Sequence, residues 1–222
     1  MRVLGILGTP HVKGNTVLLL DAALAGAAAA GAETEKVFLA GLKLEFCVAC
    51  GQCYAEGECI YDDDAEEVKE KMGAAEGIIL GAPNYINSVP ARLKALMDRC
   101  ALQIHTQRWL GKYGAAVATA GGSEEDEVAR YMNHFLSVCG AQTVGIATAR
   151  AAGVGALLDQ EAALAAAQAL GADLVAAIRE KRVYPEQAAA QAAFKERMRE
   201  LVTRMADHAP FQHDYWEKMG WL

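Results

Sequence analysis

The chain has 222 residues, of which 53% are hydrophobic and 22% are charged, and its formal net charge at pH 7 is −7. This length and composition suit one α/β domain with an ordinary buried core, with or without a helical extension. The acidic balance and the lack of a basic stripe argue against a protein that binds nucleic acid. No targeting segment is recognisable at the N-terminus, and the apolar stretch 17–30 is too short to span a bilayer. We therefore expect a cytoplasmic protein with no membrane partner.

Apolar runs alternate with helical patterns along the first 181 residues. In chain order the predicted elements are a strand at 3–7, a helix at 17–30, a strand at 34–39, a helix at 64–75, a strand at 77–82, a helix at 88–100 capped by Ser88, a strand at 113–119, a helix at 123–138, a strand at 143–148 and a helix at 157–181. This alternation predicts an α/β fold of the flavodoxin-like, doubly wound type, with a five-stranded parallel sheet of order 2-1-3-4-5. One more amphipathic helix, at 186–206, precedes a tail rich in aromatic residues. We divide the chain into a domain at 1–183 and a C-terminal helical extension at 184–222.

The loop after the first predicted strand, residues 8–16, combines glycines, hydroxyls and a helix N-terminus, which is a pattern that binds anions. It is not a Walker loop, because the glycine spacing is one residue too long and Asn15 stands where lysine is needed. It also lacks the G-x-G-x-x-G fingerprint of dinucleotide sites. We predict a monophosphate site, and the alternative is a plain strand-to-helix turn. The candidate phosphate ligands are Thr9, His11, Lys13, Asn15 and Thr16.

Two further loops follow predicted strands three and four, at 81–88 and 119–123. In a doubly wound sheet of this order, ligands bind at the carboxyl ends of the strands, beside the phosphate loop. Tyr85 and Ile86 can supply a flat apolar wall for a flavin ring, and backbone amides can bind its polar edge. The amides in question are those of Asn84, Tyr85, Asn87, Gly121 and Gly122. The alternative is that both loops are ordinary turns containing proline or glycine.

Four cysteines, Cys47, Cys50, Cys53 and Cys59, lie in one loop with the spacing C-x2-C-x2-C-x5-C. In a reducing cytosol, such a dense cysteine loop indicates metal or redox chemistry rather than disulfides. Three cysteines at successive two-residue gaps can hold three corners of an iron–sulfur cubane, so we predict a cluster site. Structural zinc, a labile remnant of a site and redox-active thiols remain alternatives, although zinc usually uses two well-separated pairs. Cys100 and Cys139 lie among apolar neighbours on predicted helices and are expected in the core.

These motifs together resemble a known family. In order they read G-T-P-x-x-K-G-N-T, A-P-N-Y, V-P-A-R-L-K-A-L-M-D-R and A-G-G, which is similar to the flavodoxin-like NADPH-dependent FMN reductase superfamily. With the cysteine loop added, the chain resembles the iron–sulfur flavoprotein family within it, from residue 1 to about residue 181. One departure is that Thr9-Pro10-His11 stands where relatives often have Ser-Pro-Arg.

The resemblance implies two cofactors, FMN and one [4Fe–4S] cluster. For the FMN phosphate it implies contacts with Thr9, His11, Asn15, Thr16 and Val17. For the FMN ring it implies contacts with Pro83, Asn84, Tyr85, Ile86, Asn87, Ala120, Gly121 and Gly122. For the cluster it implies the ligands Cys47, Cys50, Cys53 and Cys59.

The resemblance also implies an oxidoreductase that takes electrons from a ferredoxin-like donor or NAD(P)H and passes them to oxygen, peroxide or a quinone. No catalytic acid or base stands out among the residues, so the chemistry would belong to the cofactors. Two alternatives are a cluster-free NAD(P)H-dependent FMN or quinone reductase, and a non-enzymatic flavin electron carrier with structural zinc.

Three residues near the end of the predicted helix at 88–100, namely Lys94, Asp98 and Arg99, are predicted to form a solvated face. The aromatic tail is predicted to dock on the domain or on a partner subunit. We expect a homodimer or a homotetramer.

Overall fold

The structure is a computed structural model that describes all residues from 1 to 222. A six-stranded sheet of order β2-β1-β3-β4-β5-β6 forms its centre. The strands are β1 (Arg2–Leu7), β2 (Glu33–Phe38), β3 (Gly77–Pro83), β4 (Tyr113–Ala120), β5 (Gln142–Gly153) and β6 (Ala156–Leu157). The helices are α1 (Asn15–Ala29), α2 (Gln52–Glu56), α3 (Ala65–Ala74), α4 (Ala91–Arg99), α5 (Ala101–His105), α6 (Glu125–Val138), α7 (Gln160–Glu180), α8 (Pro185–Arg204) and α9 (Pro210–Lys218). A short 3₁₀ turn at Leu39–Gly41 follows β2.

The first five strands pair in parallel in the predicted order 2-1-3-4-5, and the flavodoxin-like architecture is confirmed. The predicted five-stranded parallel sheet is wrong in one respect, because β6 pairs antiparallel with the end of β5 and makes the sheet six-stranded and mixed. The strand β5 continues to Gly153 instead of ending at Thr148, and it turns back through Val154 and Gly155. The segment expected to begin a helix at residue 157 therefore ends a strand.

Each face of the sheet carries its own hydrophobic core, because successive side chains of a strand point to opposite faces. On β1, Leu4 and Ile6 belong to a cluster of 25 buried residues that includes side chains of α3, α4 and α6. Val3 and Leu7 belong to a cluster of 21 buried residues on the other face, covered by α1 and α7. Helices on both faces explain why the central strands read as continuous apolar runs.

The helices α1 and α7 cross with their backbones in close approach. A Cβ added at Gly26 would lie 1.9 Å from the Gln168 carbonyl oxygen, and one added at Gly171 would lie 1.8 Å from the Ala23 carbonyl oxygen. By length and composition alone, α7 is the one helix apolar enough to cross a membrane. Its apolar side packs on α1, β4 and β5, as in the core helix of a globular domain.

The entrance to α4 differs from the prediction. The helix begins at Ala91, after Pro90, and Ser88 does not cap it. Ser88 instead closes a turn with Tyr85, in which the Tyr85 amide donates to the Ser88 carbonyl at 2.9 Å and the Ser88 amide donates to the Tyr85 carbonyl at 3.2 Å. This turn keeps residues 84–88 out of the helix and at the edge of the sheet.

The C-terminal extension packs on its own chain. Trp216 of α9 is fully buried against Met198 and Val202 of α8, and its indole N–H donates to the His105 carbonyl at 2.8 Å. The docking of the aromatic tail therefore needs no partner subunit. The division of the chain at residue 183 stays a prediction.

Candidate functional site

A cleft of about 440 Å³ opens at the carboxyl ends of β1, β3 and β4. It brings together residues from the three loops that the sequence singled out. Of the predicted FMN contacts, those that line the cleft are Thr9, His11, Asn15, Thr16, Pro83, Asn84, Tyr85, Ala120 and Gly121. Those that do not line it are Lys13, Val17, Ile86, Asn87 and Gly122.

The phosphate end of the cleft is formed by the start of α1. The backbone amides of Asn15 and Thr16 donate to no acceptor within the chain, and they lie in the first helical turn, where an anion is stabilised by the helix dipole. The Val17 side chain is buried in the core and its amide already donates to the Gly14 carbonyl at 3.0 Å. The Thr16 hydroxyl is buried against the Thr119 hydroxyl, 2.7 Å away, so this side chain joins α1 to β4.

Two buried amide oxygens in the cleft lack a partner. The Asn15 side-chain nitrogen donates to the Gly153 carbonyl at 2.9 Å, which leaves its oxygen unpaired. The Asn84 side-chain nitrogen donates to the Ser123 carbonyl at 2.7 Å, and its oxygen is also unpaired. Buried acceptors are rarely left without a donor, and FMN carries such donors in its ribityl hydroxyls and its ring N–H. The residues of the cleft therefore fit FMN.

The loop at 84–88 presents an exposed hydrophobic tip. Ile86 and Asn87 adopt φ values of 51° and 56°, a left-handed conformation that is uncommon for a β-branched residue. The Ile86 side chain is fully exposed and Tyr85 is 44% exposed. Such a wall is available to a planar ring.

The donors at the ring end are fewer than the sequence indicated. The Asn84 amide donates to the Thr119 carbonyl at 2.7 Å, and the Tyr85 amide is used in the turn with Ser88. The amides of Asn87, Gly121 and Gly122 have no acceptor within the chain. A Cβ added at either glycine would meet nothing within 4 Å, so the backbone there is open to a ligand.

The hairpin between β5 and β6 forms one side of the cleft. This hairpin was not predicted from the sequence. Ala151, Gly153, Val154 and Gly155 line the cleft together with Thr119. The sequence had one signal for this hairpin, two glycines that flank a valine, which is 99% exposed in the structure.

The four cysteines of the loop 47–59 line one cavity of about 170 Å³. All four are free thiols; Cys47 and Cys50 are exposed, and Cys53 and Cys59 are half-buried. The backbone bends around this cavity through left-handed residues before and after the short helix α2, which carries Cys53. Those residues are Ala49, Gly51 and Gly57, with φ values of 54°, 79° and 85°.

Burial and crowding of the thiols act in the same direction on Cys53. Burial, with a smaller effect from the neighbouring Cys59, raises the pKa of the Cys53 thiol above its usual range. Burial likewise raises the pKa of Tyr54 to about 12, and the charge of Cys53 adds to the effect. A cation that accepts several thiolates removes this mutual repulsion, so the donor set suits a thiophilic metal centre.

Arg99, which lines the cysteine cavity, belongs to a buried ion pair with Asp63. Arg99 and Asp63 are 1% and 0% exposed and share two hydrogen bonds, of 2.7 Å and 3.0 Å. Burial acts to raise the pKa of Asp63, but hydrogen bonds from Arg99 and from the amides of Glu45 and Ala65 outweigh it and lower this pKa. The prediction that Arg99 lies on a solvated face is wrong, whereas Lys94 and Asp98 do form an exposed pair. The core positions predicted for Cys100 and Cys139 are confirmed, and burial raises the pKa of Cys100 to about 12.

The model of the NADPH-dependent FMN reductase family matches residues 1–155. An iron–sulfur flavoprotein of Archaeoglobus fulgidus is 31% identical over 223 aligned positions that cover all of both chains. The chain belongs to the iron–sulfur flavoprotein family. An iron–sulfur flavoprotein of Methanocaldococcus jannaschii is 44% identical over 140 residues, which cover 61% of this chain and 72% of the relative.

Solved structures agree with the fold of this flavoprotein. An NAD(P)H:quinone oxidoreductase from Methanothermobacter marburgensis superposes with a TM-score of 0.62 at 20% identity, covering 78% of this chain and 96% of the other. An archaeal flavodoxin superposes with a TM-score of 0.54 at 16% identity, covering 81% of this chain and 99% of the other. The predicted family is confirmed, and the flavoprotein is a flavin-dependent oxidoreductase that uses FMN.

Proposed function

We propose that this protein is an FMN- and [4Fe–4S]-containing oxidoreductase that passes electrons between a ferredoxin-like or NAD(P)H donor and a small acceptor such as oxygen, peroxide or a quinone. The observation that carries the proposal is the convergence of Cys47, Cys50, Cys53 and Cys59 on one cavity while all four thiols are free. When bound, FMN supplies one- and two-electron chemistry and the cluster supplies one-electron transfer.

The chain contributes binding and orientation. The open amides of Asn15 and Thr16 would hold the FMN phosphate, and the amides of Gly121 and Gly122 would meet the polar edge of the ring. The four cysteine sulfurs would hold the cluster. No catalytic acid or base stands out among the side chains that line the cleft, so the chemistry would belong to the cofactors.

The two proposed cofactor sites lie at opposite ends of α4. The loop at 84–88 leads into this helix, and Arg99 at its end lines the cysteine cavity. Nine helical residues span roughly 13 Å at about 1.5 Å per residue. No residue lines both cavities, so a second subunit could offer a shorter route, which is consistent with the proposed homodimer or homotetramer.

We also propose a cytoplasmic location and no nucleic-acid or membrane partner. Two of the four thiols are exposed and two are half-buried, so an oxidising compartment would convert them to disulfides. In a reducing compartment they stay available to bind a metal. Large apolar side chains that are exposed beside both cavities are candidates for the subunit interface: Val12, Phe46, Val48, Ile86 and Val154.

Anaerobic purification with measurement of flavin, iron and sulfide tests the proposal. We expect one FMN, about four irons and about four sulfides per chain. Iron-free protein with flavin bands that bleach rapidly with NADPH would support the cluster-free reductase instead. Zinc without iron would support the electron carrier with a structural metal.

A matched pair of cysteine variants tests the ligand assignment. Cys50→Ser removes one thiolate from the cavity, and we expect it to lose most of the iron while keeping FMN. Cys100→Ala removes a cysteine that is fully buried outside this cavity, and it should keep its iron. Full iron content in Cys50→Ser would contradict the assignment.

A further inference from the structure

Arg99 has an unusual position in the cysteine site. It is the last residue of α4, it lines the cavity shared by the four cysteines, and its side chain is only 1% exposed. A permanently charged guanidinium is seldom buried unless its N–H groups have acceptors. Each of its five N–H groups therefore needs an acceptor.

Four of these groups face protein oxygens. One terminal nitrogen, Nη1, donates to Asp63 Oδ2 at 2.7 Å and to the Glu45 carbonyl at 3.1 Å. The other, Nη2, donates to Asp63 Oδ1 at 3.0 Å and lies 3.9 Å from Glu66 Oε1. The fifth group, Nε–H, is buried and has no acceptor. A buried donor without an acceptor carries a large free-energy penalty, so Arg99 lacks one hydrogen-bond partner.

The guanidinium cannot turn to find another acceptor. Its plane is held by the two bonds to Asp63, and it lies over the Tyr61 ring with 5.2 Å between the guanidinium carbon and the ring centre. Asp63 is itself fixed, because its oxygens accept bonds from the amides of Glu45 at 2.8 Å and Ala65 at 3.1 Å. The direction of Nε–H is therefore set before any cofactor binds.

Sulfur is the most frequent side-chain acceptor in the lining, because four of the fourteen lining residues are cysteines. Burial acts to lower the pKa of Arg99, but the bond to Asp63 and the negative charge of a Cys59 thiolate outweigh it and raise this pKa. Cys59 and Arg99 line the same cavity, so both can contact a cluster bound there. Cysteine and inorganic sulfurs of iron–sulfur clusters accept N–H hydrogen bonds.

Resting on the proposed function, we infer that the Arg99 Nε–H is a hydrogen-bond donor to a sulfur atom of the bound cluster, on the side of Cys59, and that it raises the reduction potential of the cluster. Such a bond stabilises the reduced cluster more than the oxidised one, since the reduced cluster carries one more negative charge. Asp63 is the positioning residue that aims the donor.

A redox titration followed by electron paramagnetic resonance tests this inference on the purified holoprotein. Arg99→Gln should lower the equilibrium constant for one-electron reduction about tenfold, a shift of about 59 mV to more negative potential. Arg92→Gln is the matched control, because it removes one positive charge from the same helix at an exposed position outside the cysteine cavity. The control should leave the potential unchanged.

A measurement on the unaltered sequence covers the case in which Arg99→Gln fails to fold. Protein grown with ¹⁵N-labelled arginine should show a weak ¹⁵N coupling to the reduced cluster, and the proton coupling of the same bond should disappear in D₂O. The inference is overturned if a reduced cluster shows no arginine nitrogen coupling. It is also overturned if Arg99→Gln lowers only stability or iron content while the remaining cluster keeps its potential. Wild-type protein without iron would overturn the proposed function itself, which distinguishes the two failures.

Discussion

Asn15 has a structural contact and also belongs to the proposed phosphate site. Its nitrogen ties α1 to the end of β5, its oxygen is buried and unpaired, and the residue lines the cleft. A negative charge introduced at this point would meet the phosphate of FMN directly. Asn15 is therefore the position at which the proposed phosphate site is most sensitive to charge.

Asn15→Asp is expected to weaken FMN binding about tenfold. The added carboxylate repels the phosphate by about 1–2 kcal/mol at a separation of several ångström in a wet cleft, and the effect should shrink as salt is added. Titration of the flavin-free protein with FMN, followed by fluorescence quenching, measures the change. Asn133→Asp is the control, because Asn133 likewise donates to a strand carbonyl and has an unpaired oxygen, but it lies on α6 outside the cleft. Equal losses in both variants would argue against a phosphate at Asn15.

Gly57 is required by two independent constraints. Its φ value of 85° disfavours any residue with a Cβ, and such a Cβ would lie 2.5 Å from the Phe211 ring of α9. Gly51 has a similar φ of 79°, but a Cβ there would meet nothing within 4 Å. A comparison of substitutions at the two glycines therefore separates the effect of backbone strain from the effect of contact with α9.

Gly51→Ala is expected to reduce the free energy of unfolding by about 1–2 kcal/mol through backbone strain alone. Gly57→Ala should cost more and should also reduce iron content, because Phe211 must move away from the cysteine loop. Denaturant unfolding and iron analysis measure both effects. A second change, Phe211→Ala, should restore part of the loss in Gly57→Ala but not in Gly51→Ala. Identical behaviour of the two glycine variants would mean that the contact has no role.

At the level of elements, the crossing of α1 and α7 depends on glycines. Gly171→Ala would force a Cβ against the Ala23 carbonyl, so we expect a loss of about 1–3 kcal/mol or more in the free energy of unfolding. Gly73→Ala serves as the control on α3, where the new Cβ meets nothing within 4 Å, and it should stabilise by about 0.5–1 kcal/mol. Urea unfolding compares the two. A stabilised Gly171→Ala variant would show that the helices can separate freely.

The elements that the sequence predicted well are those decided by local pattern. The central strands β1, β3 and β4 were placed to within one residue, because each is an apolar run bounded by turn residues and buried on both faces. The strand β6 was missed, since its two residues are held only by pairing with β5. The short helix α2 was missed for a similar reason, as its five residues lie inside the cysteine loop and bury no side chain.

In the candidate site, too, the residues predicted from the sequence are those that form a local pattern. The cysteines and the loops of the FMN cleft were found because their residue types and spacing lie close together in the chain. Arg99 was misread because its partner, Asp63, is 36 residues away in the sequence, whereas the helix spacing to Lys94 and Asp98 suggested exposed pairs. Pairings of this kind depend on tertiary structure and leave no local pattern.

On the scale of the whole molecule, the C-terminal extension reaches the cysteine site. His105 stacks on Tyr54 with 4.4 Å between ring centres, and it is hydrogen-bonded to Gln212 of α9 at 3.0 Å. Together with the contact between Phe211 and Gly57, this packing holds α9 against α2. The match to the FMN reductase family model ends at residue 155, whereas the alignment with the iron–sulfur flavoprotein of Archaeoglobus fulgidus also covers α9.

Removal of residues 210–222 is expected to leave FMN binding intact and to make the iron labile in air. The FMN cleft has no lining residue in this segment, whereas the cysteine loop loses its cover. Iron content after timed exposure to oxygen, with flavin content as the internal control, measures the effect. Loss of both cofactors together would indicate general unfolding, which the near-ultraviolet circular dichroism spectrum would reveal.

The position of α9 also has a consequence for biosynthesis. Cys59 leaves the ribosome about 160 residues before α9 is complete, and at about 5–20 residues per second this interval lasts roughly 8–32 s. During this interval α9 does not yet cover the thiols of the nascent chain. The contact between Phe211 and Gly57, which holds the loop in its final conformation, has not yet formed. For the proposed cluster, this interval would allow iron and sulfide to reach all four thiols before α9 packs against the loop.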